Sequence, residues 1–216
     1  MTRAASTSRA PRLIALSSAA LLTLGLAACS SDAPAEETTS AAGFEPIVIE
    51  HALGTTTIES KPERVATVQW ANHEVPLALG VVPVGMAAAN FGDDDGDGLL
   101  PWVDEKLEEL GAETPVLFDE TDGIDFEAVA DTAPDVILAA YSGLSQADYD
   151  TLSQIAPVVA YPTTPWSTDW CEMIRLNGTA PGRAAESEAL IAKIESEIAA
   201  AVAKQPTLQG KTAMFV

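Results

Sequence analysis

Short apolar segments alternate with short amphipathic ones between residues 65 and 161, and this alternation constrains the fold more than any other feature. The apolar segments predict strands at 65–69, 81–86, 116–118, 135–140 and 157–161, with helices between them at 72–79, 101–110, from 126, and 146–155. Residues 135–140 (DVILAA) are apolar on both faces, as expected of a fully buried strand. Strands that alternate with helices predict an α/β fold with a parallel, Rossmann-like sheet.

Residues at the predicted helix ends support these boundaries. Pro101 suits the first position of a helix, and Gly111 suits the position just past its end. Asp125 is placed to cap the next helix, and Ser145 with Asp148 resembles a capping box. The hydrophobic pattern and the capping residues therefore agree on these three helices.

The flanking segments predict different structure. Residues 47–51 and 55–59 alternate in polarity and predict a β-hairpin. Residues 167–176 predict a helix that Asn177-Gly178 ends, and Pro181-Gly182 precedes one long helix at 183–204. A strand is expected to start at 212–216, where the sequence stops, so we expect a fragment or a truncated product.

The first 28 residues have the pattern of a bacterial export signal. Three arginines and no acidic residue precede an apolar run at 13–26, which is too short to span a bilayer. The run ends in Leu-Ala-Ala-Cys, which resembles a lipobox with Cys29 as the residue that carries the lipid. Residues 29–43 are small and polar and predict a disordered tether. We therefore expect a protein outside the cytoplasm, attached to the cell membrane by a lipid anchor.

The charge of the chain bears on nucleic acid as a partner, and its cysteine content bears on disulfide bonds. The chain has a formal net charge of −21, and loss of the export signal would remove only basic residues, so nucleic acid is excluded as a partner. Besides Cys29 the chain has only Cys171, so no intramolecular disulfide is available once Cys29 carries the lipid. Cys171 is expected to be a buried apolar side chain.

Five sequence segments occur in a characteristic order between about residue 47 and residue 216. These stretches are HALGTTTIESKPERVATV, ALGVVPVGM, LLPWVDEKLEELGAETP, FEAVADTAPDVILAAYSGLSQADYDTLSQIAPVVAYP and a Pro-Trp pair at 165–166. In this order they resemble the iron–siderophore substrate-binding proteins of ABC importers. The resemblance implies two α/β lobes joined by one long helix, with the ligand held between them. Residues 44–180 would form the first lobe, 183–204 the connecting helix, and 212–216 the first strand of an absent second lobe.

The resemblance also implies a function. A protein of this kind captures a ferric siderophore outside the membrane and delivers it to the permease, as a monomer, without enzymatic chemistry and without a cofactor of its own. Glu127, in the first turn of a predicted helix, is expected to dock onto the permease. The alternatives are a different bulky chelate, haem or cobalamin, or a calcium-stabilised surface lipoprotein. No G-x-S-x-G or H-E-x-x-H arrangement supports an enzyme.

Candidate ligand-binding residues follow the predicted strands, because ligands bind outside the carboxyl ends of strands in open α/β sheets. Aromatic residues stand beside small polar ones at these positions: Trp70, Asn90, Phe91, Tyr141, Ser142 and Trp166. Such a surface stacks on a large, partly aromatic ligand and supplies a few hydrogen bonds.

A ferric siderophore fits such a surface, because chelator oxygens already saturate its iron and no metal ligand is needed from the protein. Accordingly, His51 and His73 are isolated in sequence. Arg175 and Arg183 lie on predicted helices away from the strand ends and are expected to have structural roles.

One acidic loop resembles a metal site. Asp93, Asp95, Asp97 and Asp104 stand at positions 1, 3, 5 and 12 of an EF-hand-like calcium loop. Pro101 at position 9, Asp instead of Glu at position 12 and the lack of a preceding helix weaken this interpretation. The favoured interpretation is a solvated loop at the cleft rim, with calcium as the alternative.

Overall fold

The computed structural model describes residues 44–208, 210–212 and 214. Its strands are β1 Ile47–His51, β2 Gly54–Ile58, β3 Val65–Thr67, β4 Gly85–Ala87, β5 Val116–Phe118, β6 Val136–Leu138 and β7 Val158–Val159. Its α-helices are α1 Glu74–Ala78, α2 Pro101–Leu110, α3 Phe126–Asp131, α4 Gln146–Leu152, α5 Trp170–Thr179 and α6 Ala184–Ala203, followed by a 3-10 turn at Pro206–Leu208. The predicted α/β class is confirmed.

Five of the strands form one parallel sheet in the order β5-β4-β3-β6-β7. The first of these strands along the chain, β3, lies in the middle, so the chain winds outward to one side through β4 and β5 and then returns to the other side through β6 and β7. The side chains of β6 are fully buried, as the apolar run predicts. The connections reverse direction between β3 and β6, and such a reversal is where open α/β sheets bind ligands.

The predicted hairpin is confirmed as β1 paired antiparallel with β2. Ile49 and Ile58 pack with Val65 and Val136 in one core cluster. The hairpin is also joined to the sheet by the Thr56 hydroxyl, which donates to the carbonyl of Val158 at 2.5 Å. The hairpin is therefore held against the sheet by both apolar and polar contacts.

Local capping signals place the helix ends well. Helix α2 begins at Pro101 and ends before Gly111, whose left-handed φ of 61° suits glycine. The Asp125 carboxylate accepts from the amide of Ala128 at the start of α3, and Ser145 with Asp148 forms the predicted capping box. These predictions are confirmed because they depend on neighbours within four residues.

The predicted break at Asn177-Gly178 is wrong, because both residues lie inside α5. Asn177 is buried, and its side-chain amide donates to the Asn72 side-chain oxygen at 3.0 Å. Gly178 lets α6 come close, since a Cβ there would lie 1.8 Å from the Ser187 hydroxyl oxygen. Tertiary contacts therefore outweigh the low helix propensity of this pair. The later break at Pro181-Gly182 and the long helix after it are confirmed.

Several strands and helices are shorter than predicted. Helix α1 begins at Glu74 instead of residue 72, because the Asn72 side chain bonds to neighbouring loops instead. Strand β4 begins at Gly85, where a Cβ would lie 2.2 Å from the Phe118 ring. The preceding residues form a turn in which the Val81 amide donates to the Pro76 carbonyl.

The chain ends lie largely beyond the described residues. The predicted export signal, Cys29 and the tether are outside them. Thr212 and Met214 carry no strand assignment, and Ala213, Phe215 and Val216 lie outside the described residues, so that strand stays a prediction. Among the described helices, none combines the length and apolarity needed to cross a membrane.

Candidate functional site

A cavity of about 170 Å³ lies at the carboxyl edge of the sheet. Its walls come from the segments that follow three neighbouring strands: residues 69–71 and 73 after β3, residues 86–90 at the end of β4, and Glu120 after β5. Gly98, Leu100 and Trp166 complete the lining. The cavity therefore occupies the edge at which the sheet topology predicts a ligand.

The structure brings three of the six predicted binding residues into this cavity: Trp70, Asn90 and Trp166. Trp70 and Trp166 are 39% and 48% exposed, so their rings remain open to a ligand. Tyr141 lies behind Trp166, with the two rings edge to face at 5.4 Å. Ser142 is fully buried, and Phe91 is 78% exposed outside the cavity wall.

The position of Trp166 is fixed by its neighbours. Its amide donates to the Ser142 carbonyl at 3.0 Å, and its backbone holds a left-handed φ of 58°. Gly143 lies directly against the ring, since a Cβ there would come within 2.3 Å of the indole nitrogen. Ser142 and Gly143 therefore contribute to the site by holding an aromatic wall in place.

Asn72 joins the loops that follow β3 and β6. Its side-chain nitrogen donates to the carbonyls of Val68 and Tyr141, each at 2.8 Å. Its side-chain oxygen accepts from the Tyr141 amide and from the Asn177 side chain, each at 3.0 Å. Because Asn72 is fully buried, these bonds replace those it would make with water. These hydrogen bonds fix the positions of the loops that carry Trp70 and Tyr141.

Sequence reasoning missed Gln69 and Glu120. The Gln69 amide donates to both Glu120 carboxylate oxygens, at 3.1 and 3.0 Å, and the Gln69 side chain donates to one of them at 3.2 Å. Burial raises the pKa of Glu120, and the Gln69 hydrogen bonds act in the opposite direction. The sequence could have indicated Glu120 as a site residue, because Glu120 follows β5 just as Trp70 follows β3.

Backbone strain is concentrated at the cavity. Among the described residues other than glycine, four have positive φ: Gln69, Ala71, Ala133 and Trp166. All but Ala133 line the cavity. Left-handed backbone is unfavourable for side chains with a Cβ and tends to persist at functional sites. The strain supports the assignment of this edge as the binding site.

The two histidines lie in different parts of the fold. His73 lines the cavity, and burial lowers its pKa to about 4, so its ring is neutral at pH 7. His51 lies in the hairpin, bonded to Thr56 at 2.9 Å, and burial also lowers its pKa. The two rings are held by separate elements.

The acidic loop brings together part of the predicted calcium set. Carboxylate oxygens of Asp93, Asp95 and Asp97 lie within 4.8 Å of one another, a cluster that does not include Asp104. The amides of Gly96 and Gly98 donate to Asp93 and lower its pKa, whereas the charge of Asp97 raises the pKa of Asp95. Asp93 is thus already satisfied by its own loop, and the calcium alternative stays a prediction.

The remaining candidates lie on helix surfaces. Glu127 is exposed in the first turn of α3. Arg175 pairs with Glu188 at 2.7 Å and Arg183 with Glu186 at 3.1 Å, in keeping with the structural roles expected of them. Cys171 is half-buried beside α6 residues, and desolvation raises the pKa of its thiol.

Together, the parallel sheet, the switch of direction between β3 and β6, and an aromatic cavity at the carboxyl edge define a ligand-binding α/β lobe. The chain belongs to the periplasmic binding protein family, whose model matches residues 65–216.

Relatives of known structure or description agree with this assignment. PiaA of Streptococcus pneumoniae TIGR4, solved in complex with ferrichrome, is similar at 49% identity and a TM-score of 0.73, over 76% of this chain and 54% of that one. SirA of Staphylococcus aureus, complexed with staphyloferrin B, matches at 28% identity and a TM-score of 0.60, over 76% of this chain and 53% of its own. The "Probable siderophore-binding lipoprotein YfiY" of Bacillus subtilis (strain 168) is 25% identical over 80% of this chain and 50% of its own. The chain thus spans about half the length of these relatives.

Proposed function

We propose that this chain belongs to the solute-binding component of an ABC importer. That component captures a ferric siderophore outside the membrane and delivers it to the permease. The observation that carries the proposal is the cavity at the carboxyl edge, with Trp70 and Trp166 as open aromatic walls. Relatives described as binding ferrichrome, staphyloferrin B or a siderophore support the same class of ligand.

The site suits a chelate whose iron is already coordinated. The Trp70 and Trp166 rings offer flat apolar area to the organic part of the chelate, and Asn90 offers an amide to its polar atoms. The cavity wall has no cluster of His, Cys, Asp and Glu among the residues described, so the iron would keep the ligands of the chelator. The chain would therefore bind and release the whole chelate without chemical change.

The remaining parts of the chain have roles that follow from this proposal. Residues 44–180 form the first lobe, and α6 connects it to a second one. A lipid on Cys29, with residues 29–43 as a flexible tether, keeps the lobe near the membrane and raises its effective concentration at the permease. Glu127 is exposed at the amino-terminal end of α3, where a carboxylate is free to dock onto basic residues of the permease.

Titration of the 216-residue chain with ferric hydroxamate, catecholate and carboxylate siderophores tests the proposal. We expect quenching of tryptophan fluorescence by at least one class, and weak binding, since the chain spans about half the length of its relatives. Free tryptophan amide corrects for absorbance by the chelates, and each iron-free siderophore serves as the control. Absence of quenching across all three classes contradicts the proposal.

A further inference from the structure

Asn177 lies on a helix outside the cavity lining, yet it contacts the residue that joins the cavity loops. Its side-chain nitrogen donates to the Asn72 side-chain oxygen at 3.0 Å, although the two residues are 105 apart in sequence. Asn72 in turn bonds to the loops that carry Trp70 and Tyr141. This hydrogen bond therefore connects α5 to the loops that follow β3 and β6.

The bond from Asn177 completes the hydrogen bonding of the Asn72 side chain. The Asn72 nitrogen donates to the carbonyls of Val68 and Tyr141, each at 2.8 Å. The Asn72 oxygen accepts from the Tyr141 amide and from Asn177, each at 3.0 Å. A side-chain amide offers two donors and two acceptor positions, so all four are used. Because Tyr141 and α5 share the Asn72 oxygen, the position of Asn177 constrains the loop that follows β6.

Stability alone does not explain an asparagine at position 177. Asparagine has a low propensity for the interior of a helix, and the Asn177 side-chain oxygen is buried without a hydrogen-bond partner among the described residues. A buried polar atom of this kind costs free energy that leucine, which is similar in size, would not cost. Leucine could not, however, donate a hydrogen bond to Asn72. The side chain therefore suits the placement of Asn72 better than it suits the packing of α5.

The next residue along the helix holds α5 against α6. Gly178 is buried, and a Cβ at this position would overlap the Ser187 hydroxyl of α6. That hydroxyl donates to the Arg183 carbonyl at 2.9 Å, which keeps it in place. The close packing of the two helices therefore fixes the part of α5 from which Asn177 reaches the cavity loops.

We propose that Asn177 is a positioning residue for the binding cavity. Acting through Asn72, it lets the packed pair of α5 and α6 set the positions of the loops that carry Trp70 and Tyr141. Tyr141 contacts Trp166 edge to face at 5.4 Å, so the effect extends to the second aromatic wall. Every contact in this series lies among the described residues. The effect on ligand affinity rests on the proposed function.

The variants Asn177→Leu and Asn177→Ala test the proposal, because both remove the donor to Asn72 while they change the packing in different ways. Exchange of the Tyr141 amide proton with solvent, followed by NMR, reports on the loop without any ligand. We expect exchange to be about three- to tenfold faster in both variants, because Asn72 loses one of its anchors. The urea midpoint of Asn177→Leu should stay close to that of wild type, because the lost hydrogen bond is offset by removal of the unpaired oxygen.

Titration with ferric hydroxamate, catecholate and carboxylate siderophores, followed by tryptophan fluorescence, measures the effect on binding. For each chelate that binds the wild type, the dissociation constant should rise about three- to tenfold in both variants. Ile174→Val is the matched control, because it alters a buried side chain of the same helix and keeps the bond to Asn72. It should lower the urea midpoint slightly and leave both amide exchange and affinity unchanged.

The outcomes separate this proposal from the proposed function. Unchanged exchange of the Tyr141 amide in the folded variants overturns the positioning role. The role is also overturned if Ile174→Val causes the same changes, or if neither variant at position 177 folds, because Asn177 then serves stability alone. If the wild type binds no chelate, the proposed function fails, while amide exchange still decides whether Asn177 positions the loop.

Discussion

The two edges of the parallel sheet are built from the same strands but are completed differently. At the amino edge, the Asp135 carboxylate accepts from the amides of Glu63 and Arg64 at 2.7 and 2.9 Å, and the Arg64 side chain donates to the Ala133 carbonyl at 2.8 Å. The polar groups there bind one another and close the edge. At the carboxyl edge, polar side chains instead join strained loops to one another around a cavity. One edge therefore stabilises the fold, and the other positions a binding surface.

The largest effect is expected from Asn72→Ala. This substitution breaks the bridge between the loops after β3 and β6 and leaves several buried backbone and side-chain groups without partners, which costs about 3 kcal/mol in the free energy of unfolding. Urea denaturation measures the loss. Asn90→Ala, which removes an exposed amide at the same edge, is the matched control. A loss below about 1 kcal/mol would contradict the role given to Asn72.

A pH effect of intermediate size is expected from His73. Its pKa is about 4 in the folded chain, against an ordinary value of 6.5. The unfolded chain therefore binds the proton first as the pH falls, so stability from this group is complete above pH 6.5 and is lost between pH 6.5 and 4. Between pH 7 and pH 5 the loss amounts to about 2 kcal/mol.

Comparison with His73→Gln isolates this contribution. The difference between wild type and variant in the free energy of unfolding should change by about 2 kcal/mol between the two pH values. The raised pKa of Glu120 acts in the opposite sense, because that carboxyl holds its proton more tightly in the folded chain, and it cancels in the difference. Equal pH slopes for the two proteins would show that His73 is not buried as a neutral ring.

A smaller effect is expected from Asp135→Ala at the amino edge. The change removes the acceptor for two backbone amides and should cost about 1–2 kcal/mol in the free energy of unfolding. Binding of ferric chelates by the folded variant should not change, because Asp135 lies at the opposite edge from the cavity. Asp131→Ala removes the same charge at an exposed position and should be nearly neutral. Weakened binding in folded Asp135→Ala would contradict the assignment of stability to the amino edge and of binding to the carboxyl edge.

The smallest stability effect is expected from Asn90→Ala. Because Asn90 is exposed, the free energy of unfolding should change by less than about 0.5 kcal/mol. Binding should nevertheless weaken by a factor of about five, which corresponds to one lost neutral hydrogen bond. Calorimetric unfolding and fluorescence titration measure the two quantities. A variant that binds as well as wild type would remove Asn90 from the site.

Local and repeated signals made much of the fold predictable. Pro101 and Gly111 act within their own helix, and Asp125 bonds an amide three residues away, so the sequence predicts both helices correctly. The rule that ligands bind after parallel strands placed Trp70, Asn90 and Trp166 at the cavity. These predictions needed no knowledge of which distant segments meet.

The unpredicted features depend on distant contacts. Asn177 continues a helix that its propensity would end, because it bonds to Asn72, which is 105 residues away in sequence. Glu120 joins the site through Gln69, 51 residues earlier. Phe91 follows a strand as Trp70 does, yet the long loop that carries it directs the ring into solvent. The tertiary arrangement of loops, which no periodicity encodes, decides such positions.

A ferric chelate is proposed to bind between Trp70 and Trp166 at the carboxyl edge. Two double variants test it directly, since the chain has four tryptophans and Trp102 and Trp170 lie outside the cavity lining. Trp102→Phe with Trp170→Phe leaves only the cavity tryptophans, and its fluorescence should be quenched by a bound ferric tris-hydroxamate in a saturable manner. Trp70→Phe with Trp166→Phe should show no saturable quenching. Saturable quenching in the second variant and none in the first would contradict the claim.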